Sequence, residues 1–391
     1  MLFEVFRTTF QAIYSIYYLD KGLSLNDVSS VKIFQIIAIL IFEIPSGYLA
    51  DKFGRIKILC FSALVMAISF IGLAISTSFL EFAVSEFIYG IGFALNSGTL
   101  LAYVNQYQQE KGILIDNKIM GYRIALVSLG TFISGNIGAY LYSYNIQLPF
   151  IISIIGMILY PVLIFILFKY LKLKDNKVSL ENFSINAKNS FNNQDFKQKE
   201  FIYLSLFSIL FTGASQFIYQ FWSVYFIREL SFNQNKVFSL MTIASIVGGI
   251  LFAKLSQNLN KNLIRITCIL VLSIPLILMN IFKSPNYLLL MFIISQLGRG
   301  MIFSLCSSIE NEVAFKFKNK STTFSIIGTI TQVSSILALC TIPLLINTLG
   351  FNSMFCLVGG VYLLLIPCLY KLKFLTENLE VNGKYTKEFM S

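Results

Sequence analysis

Twelve apolar runs, each of bilayer-crossing length, succeed one another along this 391-residue chain with little between them. Turn and charge signals divide them at about 3–20, 29–50, 56–77, 80–105, 118–142, 147–170, 200–228, 235–256, 261–282, 285–312, 321–347 and 350–372. A spanning helix needs roughly 20 mostly apolar residues, so the pattern predicts an all-α membrane protein with twelve transmembrane helices. A soluble alternative fails on composition. Hydrophobic residues make up 56% of the chain and charged residues 13%, against about 45–50% and about 25% in soluble domains. No soluble core can hide that much Phe, Ile and Leu, so the bilayer must be the solvent.

The formal net charge of +11 would suggest nucleic acid in a soluble protein. Its placement points to topology instead, and no nucleic-acid partner is expected. With both termini in the cytoplasm, the inner loops and tail hold 23 of the 30 Lys and Arg, including Lys52, Arg55 and Lys57 and seven lysines from Lys169 to Lys199. The outer loops hold Lys21, Lys32, Arg228, Lys236 and Lys283. Such asymmetry fixes orientation by the positive-inside rule and places the protein in a bacterial cytoplasmic membrane. Six cysteines (Cys60, Cys268, Cys306, Cys340, Cys356, Cys368) all fall within predicted spans without metal-ligand spacing, and read as small packing residues. No metal or cofactor is expected. The chain has no histidine, so any proton relay must use carboxylates, Tyr or water. A phosphate-binding Gly-x-x-x-x-Gly-Lys-Ser/Thr motif is absent, which excludes ATP as the driving force, and no catalytic constellation can be assembled for an enzyme. The first run lacks a basic leader and a cleavage site and reads as a retained helix.

Residues 171–199, rich in Asn, Lys and Ser, interrupt the pattern as a central cytoplasmic linker. The organisation predicted is a six-helix bundle over 1–170, the linker, a second six-helix bundle over 200–372 and a cytoplasmic tail over 373–391. The halves repeat one another. Gly22-Leu23-Ser24-Leu25-Asn26-Asp27 precedes the second run as Glu229-Leu230-Ser231-Phe232-Asn233-Gln234 precedes the eighth. The charged hinge Gly47-Tyr48-Leu49-Ala50-Asp51-Lys52-Phe53-Gly54-Arg55-Ile56-Lys57 has a worn copy at Ala253 to Lys261, with Gln257 in place of Asp51 and Asn260 in place of Gly54. Gly90, Phe93, Leu95 and Ser97 match Gly300, Phe303, Leu305 and Ser307. Three matches in one order mark two related bundles, a common transporter design.

The hinge Gly-x-Leu-Ala-Asp-x-x-Gly-Arg, between the second and third runs, resembles the loop signature of the major facilitator superfamily, and the resemblance covers the whole chain. Glu43-Ile44-Pro45-Ser46-Gly47 resembles bacterial drug-efflux members. On the fifth run Gly121, Gly130, Ser134-Gly135 and Gly138-Ala139 partly match a glycine-rich efflux motif, without its proline; all are small residues that permit close helix approach. The resemblance implies two bundles around a central cavity lined by spans one, four, seven and ten, opening alternately to each side. It also implies that the hinge cluster latches the cytoplasmic side: Gly47, Asp51, Gly54 and Arg55 are the gating candidates, with Gly54 supplying a turn conformation closed to other residues and Asp51 accepting amide hydrogen bonds and pairing with Arg55.

Glu86 lies inside the fourth run. A carboxylate at that depth is costly in lipid and marks a cavity or a partner. Many efflux members of the resembling family carry Arg at this place. This chain departs there, so that residue's role does not carry over; as a mid-span carboxylate Glu86 is the main proton-coupling candidate, with Glu43 a second, and Arg7 and Arg123 are candidate partners of Glu43, which reads more readily as structural. Arg299, inside the tenth run, could pair with Glu86 or hold an anionic substrate group. Gln11, Tyr14, Ser15 and Tyr18 on span one, and Gln216, Tyr219, Gln220 and Ser223 on span seven, form polar-aromatic stripes at helical spacing. With Asn96 and Gln296 they complete the candidate cavity lining, which suits an amphiphilic solute. The function expected is proton-coupled efflux of a small amphiphilic or hydrophobic, drug-like compound by a monomer. Proton-coupled import of a polar metabolite or short peptide is the alternative, and a non-transporting scaffold or sensor a remote one.

Overall fold

The computed structural model describes residues 2–110, 117–171, 199–258, 260–281, 283–314 and 320–380. Most of the linker expected at 171–199 and the end of the tail lie outside them, as do the side chains of Asp51 and Arg123. Every regular element among the described residues is helical. The order is α1 (Leu2–Thr8), α2 (Tyr14–Asp20), α3 (Leu25–Phe53), α4 (Arg55–Ile75), α5 (Phe79–Glu110), α6 (Asn117–Tyr144), α7 (Leu148–Leu171), α8 (Lys199–Ser223, continued by a π-helical turn Val224–Glu229), α9 (Gln234–Asn258), α10 (Lys261–Leu278), α11 (Pro285–Ala314), α12 (Lys320–Leu363) and α13 (Leu365–Glu380).

Eight of these stretches are long and apolar enough to cross a membrane as they stand. The twelve spans emerge when three features are added. The first span is broken: α1 and α2 are separated by turns at residues 9–13, where a single helix was expected. Thr8 and Thr9 turn their hydroxyls onto the carbonyls of Glu4 and Val5, at 2.7 and 3.0 Å, a back-bonding that competes with regular helix. Second, the 44 residues of α12 would reach about 66 Å as one rod, more than twice the apolar thickness of a bilayer. Gly350, at φ 76° and ψ 166°, divides it into spans eleven and twelve. Third, α6 and the shorter α10 take the fifth and ninth places.

The hinge also differs from its expected form. The spans 29–50 and 56–77 leave a loop over residues 51–55, yet α3 runs to Phe53 and α4 starts at Arg55. Only Gly54 leaves the helical conformation, at φ 101°, a region that a side chain would strain. No helix breaker lies between Gly47 and Phe53, so the turn contracts to one residue. At its other end α3 is started by Ser24 and Asp27, whose side chains and backbone amides exchange hydrogen bonds at 3.2 and 3.0 Å, a capping box.

The described chain divides into two compact units, one from Met1–Asn186 with Ser223–Ser239, the other from Ala187–Trp222 with Leu240–Ser391. In the first unit, Asp20 accepts hydrogen bonds from Tyr142 and Arg228, and Gln234 donates to the carbonyl of Ala12 at 2.9 Å in the break between α1 and α2. Its core is aromatic: Phe10 and Tyr17 each lie 4.6 Å from Phe150, and Tyr18 lies 5.0 Å from Phe82. In the second unit Phe217 packs 4.8 Å from Phe355. Apolar side chains left exposed along α7, such as Ile155, Val162 and Phe165, meet lipid rather than water.

Helices α3 and α5 approach closely at Gly90, where a Cβ would lie 2.4 Å from the Gln35 carbonyl and 2.7 Å from the Ala38 Cβ. Both obstacles belong to packed helix, so neither can yield. Gly90→Val is expected to cost about 1–3 kcal/mol by overpacking and to lower the midpoint of thermal unfolding in detergent. An unchanged midpoint would show that the two helices can part freely.

Candidate functional site

Periodicity along α5 puts Glu86, Tyr89, Phe93 and Asn96 on one face, and the tight contact at Gly90 brings that face against α3 at Lys32 and Gln35. Glu86 is 1% exposed. Its Oε1 accepts a hydrogen bond from the Tyr18 hydroxyl at 2.6 Å, and its Oε2 is buried without a partner. The Lys32 ammonium sits 4.5 Å from the centre of the Tyr14 ring and 5.8 Å from that of Tyr89, where ring faces favour a cation. Lys32 also acts electrostatically on Glu86. Arg7, from α1, donates to the Tyr89 hydroxyl at 3.0 Å and to Glu4 at 2.9 Å, with its guanidinium 5.2 Å from the Phe93 ring. Tyr14 and Tyr18 meet edge to face at 4.7 Å. The first unit thus gathers two acids and two bases amid tyrosines, Glu86 buried and Glu4, Arg7 and Lys32 half-buried.

Lys32, Glu4 and Tyr89 have no site role in the sequence, which offers Arg7 as a partner of Glu43 and places Lys32 in an outer loop. The structure corrects that assignment: Lys32 belongs to α3, within the spanning stretch Leu25–Ala50. A signal existed, since Lys32 falls inside the apolar run begun at residue 29, where a lysine is as costly as Glu86 is on its own helix.

The other candidates separate. Asn96 is buried with its Nδ2 unpartnered. Gln11 lies exposed in the break of span one, while Ser15 and Tyr18 are buried. Glu43 is half-buried and Arg7 is given to Glu4 rather than to it. At the hinge, Gly54 has its positive φ, and Lys52 lies over the rings of Tyr48 and Phe53.

In the second unit, Arg299 and Tyr219 form a separate cluster. The guanidinium lies 4.1 Å from the centre of the Tyr219 ring and 5.6 Å from that of Phe303. Its Nη1 donates to Gln296 Oε1 at 3.0 Å, and Gln296 is fully buried. Gln216 is tied instead to α12, donating to Ser335 at 2.9 Å, and Gln220 is buried. No group of three or more potential metal ligands occurs among the described residues.

The sequence matches the family model described as Major Facilitator Superfamily over residues 1–339. It is 26% identical over 234 residues to Multidrug resistance protein 2 of Bacillus subtilis (strain 168), a match covering 58% of this chain and 56% of that protein. It is 29% identical over 125 residues to Agnestins efflux protein AgnL12 of Paecilomyces divaricatus, covering 30% of this chain and 28% of that one. The matches therefore span about half and about a quarter of those two relatives. In fold, the chain is similar to a D-xylose-proton symporter, with a TM-score of 0.72 at 14% identity over 95% of both chains.

Proposed function

This chain belongs to the Major Facilitator Superfamily, and on that premise we propose that it exports a small amphiphilic compound in exchange for protons, with Glu86 as the proton carrier. It is a multi-pass membrane transporter of small molecules; export, proton coupling and the role of Glu86 are the proposal. The observation that carries it is a carboxylate 1% exposed inside a spanning helix, with one oxygen held by Tyr18 and the other unpartnered. Such a group is expensive at that depth unless it does something. Protonating it removes a negative charge that acts on Lys32, so the first unit gains one positive charge. That change biases one arrangement of the transporter over another by differential stability.

The energy suffices. One proton moving down about 100 mV and about one pH unit releases roughly 3.7 kcal/mol, enough for about a 500-fold concentration ratio. The names of the two relatives support export, as does the hinge and its flanking sequence. The positive-inside pattern supports cytoplasmic termini in a bacterial plasma membrane. Import of a polar solute is the second reading, favoured by Arg299, whose charge suits a polar anionic cargo.

Two measurements separate these. Cells expressing the protein should tolerate members of an amphiphilic growth-inhibitor panel that stop non-expressing cells. Everted vesicles should accumulate the same compounds when acidified inside. Accumulation in right-side-out vesicles driven by external acid would overturn export in favour of import.

A further inference from the structure

We propose that the cargo is an amphiphilic anion, its acidic head held by Arg299 and its apolar body lying in the cavity beside Phe303. This rests on the small-molecule transporter reading and specifies its cargo. A cavity of about 530 Å³ lies within the second unit, walled by Phe207, Ser208, Phe211, Phe303, Gly328 and Thr331 among others. That volume is in the usual range for a small-molecule site. Its wall is aromatic and aliphatic with a few hydroxyls, and nothing in it neutralises a charge. Such a space accepts an apolar body.

The acidic head follows from what surrounds Arg299. Phe303 belongs to the cavity wall and to the surroundings of the guanidinium, 5.6 Å away. On α11, Gln296, Arg299, Phe303 and Cys306 repeat at helical spacing, and Cys306 also lines the cavity. On α8 the face that lines the cavity at Ser208 and Thr212 continues towards Tyr219, the ring under Arg299. The cation thus stands at the continuation of two cavity-lining faces.

Its charge is not neutralised there. Among the described residues no carboxylate lies within ion-pair distance of Arg299; the ion pairs found are Arg7 with Glu4 and Arg228 with Asp20. Tyr219 and Gln296 stabilise the guanidinium without cancelling it, since one offers a ring face and the other a neutral carbonyl. Gln296 occupies Nη1 alone. The opposite edge, Nε with Nη2, has no hydrogen-bond partner among the described residues, and Nε is buried in that state. That edge is the one with which a guanidinium grips a carboxylate, sulfonate or phosphate through two parallel bonds. An unneutralised guanidinium at membrane depth is costly, and an arriving anion removes the cost. A cationic cargo would add to it.

The test is equilibrium binding in lipid nanodiscs at pH 7, with no gradient present. Three radiolabelled probes share one apolar body: 4-phenylbutyrate, 4-phenylbutanol and 4-phenylbutylamine. The acid is expected to bind at least tenfold more tightly than the alcohol, and the amine most weakly. R299Q should erase the advantage of the acid while still binding the alcohol. Gly328→Leu should weaken acid and alcohol in parallel, because a Cβ at Gly328 meets open space and the longer side chain fills the cavity. If R299Q is not recovered folded, R299K, which keeps the charge without the two-toothed edge, should retain only part of the acid preference. Four results overturn the proposal: no saturable binding, equal binding of acid and alcohol, tightest binding of the amine, or a full acid preference in R299Q or R299K. Failure here with proton-driven export intact removes only the anionic cargo. Loss of proton-driven export with the acid preference intact removes only the coupling.

Discussion

Glu86→Gln is expected to abolish uphill transport driven by a pH gradient while leaving downhill exchange of substrate at a rate within a few-fold of wild type. Glutamine keeps the shape of a protonated glutamic acid and can still accept from Tyr18, which now approaches Oε1 at 2.6 Å. What it cannot do is take up and release a proton. The variant therefore mimics one protonation state permanently, and accumulation against a gradient should fall to background, a loss of up to about 500-fold given the driving force of roughly 3.7 kcal/mol per proton. Exchange needs no net proton movement and should survive. Accumulation in reconstituted vesicles, measured beside counterflow in the same preparation, separates the two. Gradient-driven uptake equal to wild type would remove Glu86 from the coupling step, leaving Glu43 as the carboxylate to examine next.

Lys32→Met is expected to be as damaging as Glu86→Gln when made alone and much less damaging when the two are combined. Lys32 and Glu86 act on each other electrostatically, and the lysine rests on the rings of Tyr14 and Tyr89. Removing either charge leaves the other uncompensated at membrane depth, which is costly. Removing both leaves an apolar, neutral site, and the cost is partly recovered. Thermal unfolding of the two single variants and the double variant gives the coupling as a difference that strictly additive effects would set to zero. The double variant should regain stability without regaining proton-driven accumulation. Additive destabilisation would mean that Lys32 and Glu86 do not form a functional pair.

The sequence revealed the helices better than it revealed the charges between them. Apolar length placed the spans, and Gly350 fell where spans eleven and twelve were divided. The break in span one was hidden because Thr9-Phe10-Gln11-Ala12-Ile13 contains neither Gly nor Pro. It depends on contacts from elsewhere, such as Gln234 reaching Ala12. The hinge was recognisable by its residues, but its length was overestimated, since charged residues at the membrane surface can remain helical up to a glycine. Glu86 and Arg299 stood out because an ionisable residue is rare in an apolar run. Lys32 did not, because it lies near the start of its run and was counted with the loop. Pairings such as Glu86 with Tyr18, or Arg299 with Tyr219 and Gln296, require the register between helices, which no single run contains.

The most direct test of the account is proton movement coupled to substrate. Proteoliposomes carrying an internal pH-sensitive dye and an acid interior would be given an exported compound on the outside. Wild-type protein is predicted to release protons in step with substrate uptake, and Glu86→Gln to exchange substrate with no such release. Substrate accumulating without any proton release, or Glu86→Gln releasing protons as wild type does, would contradict it.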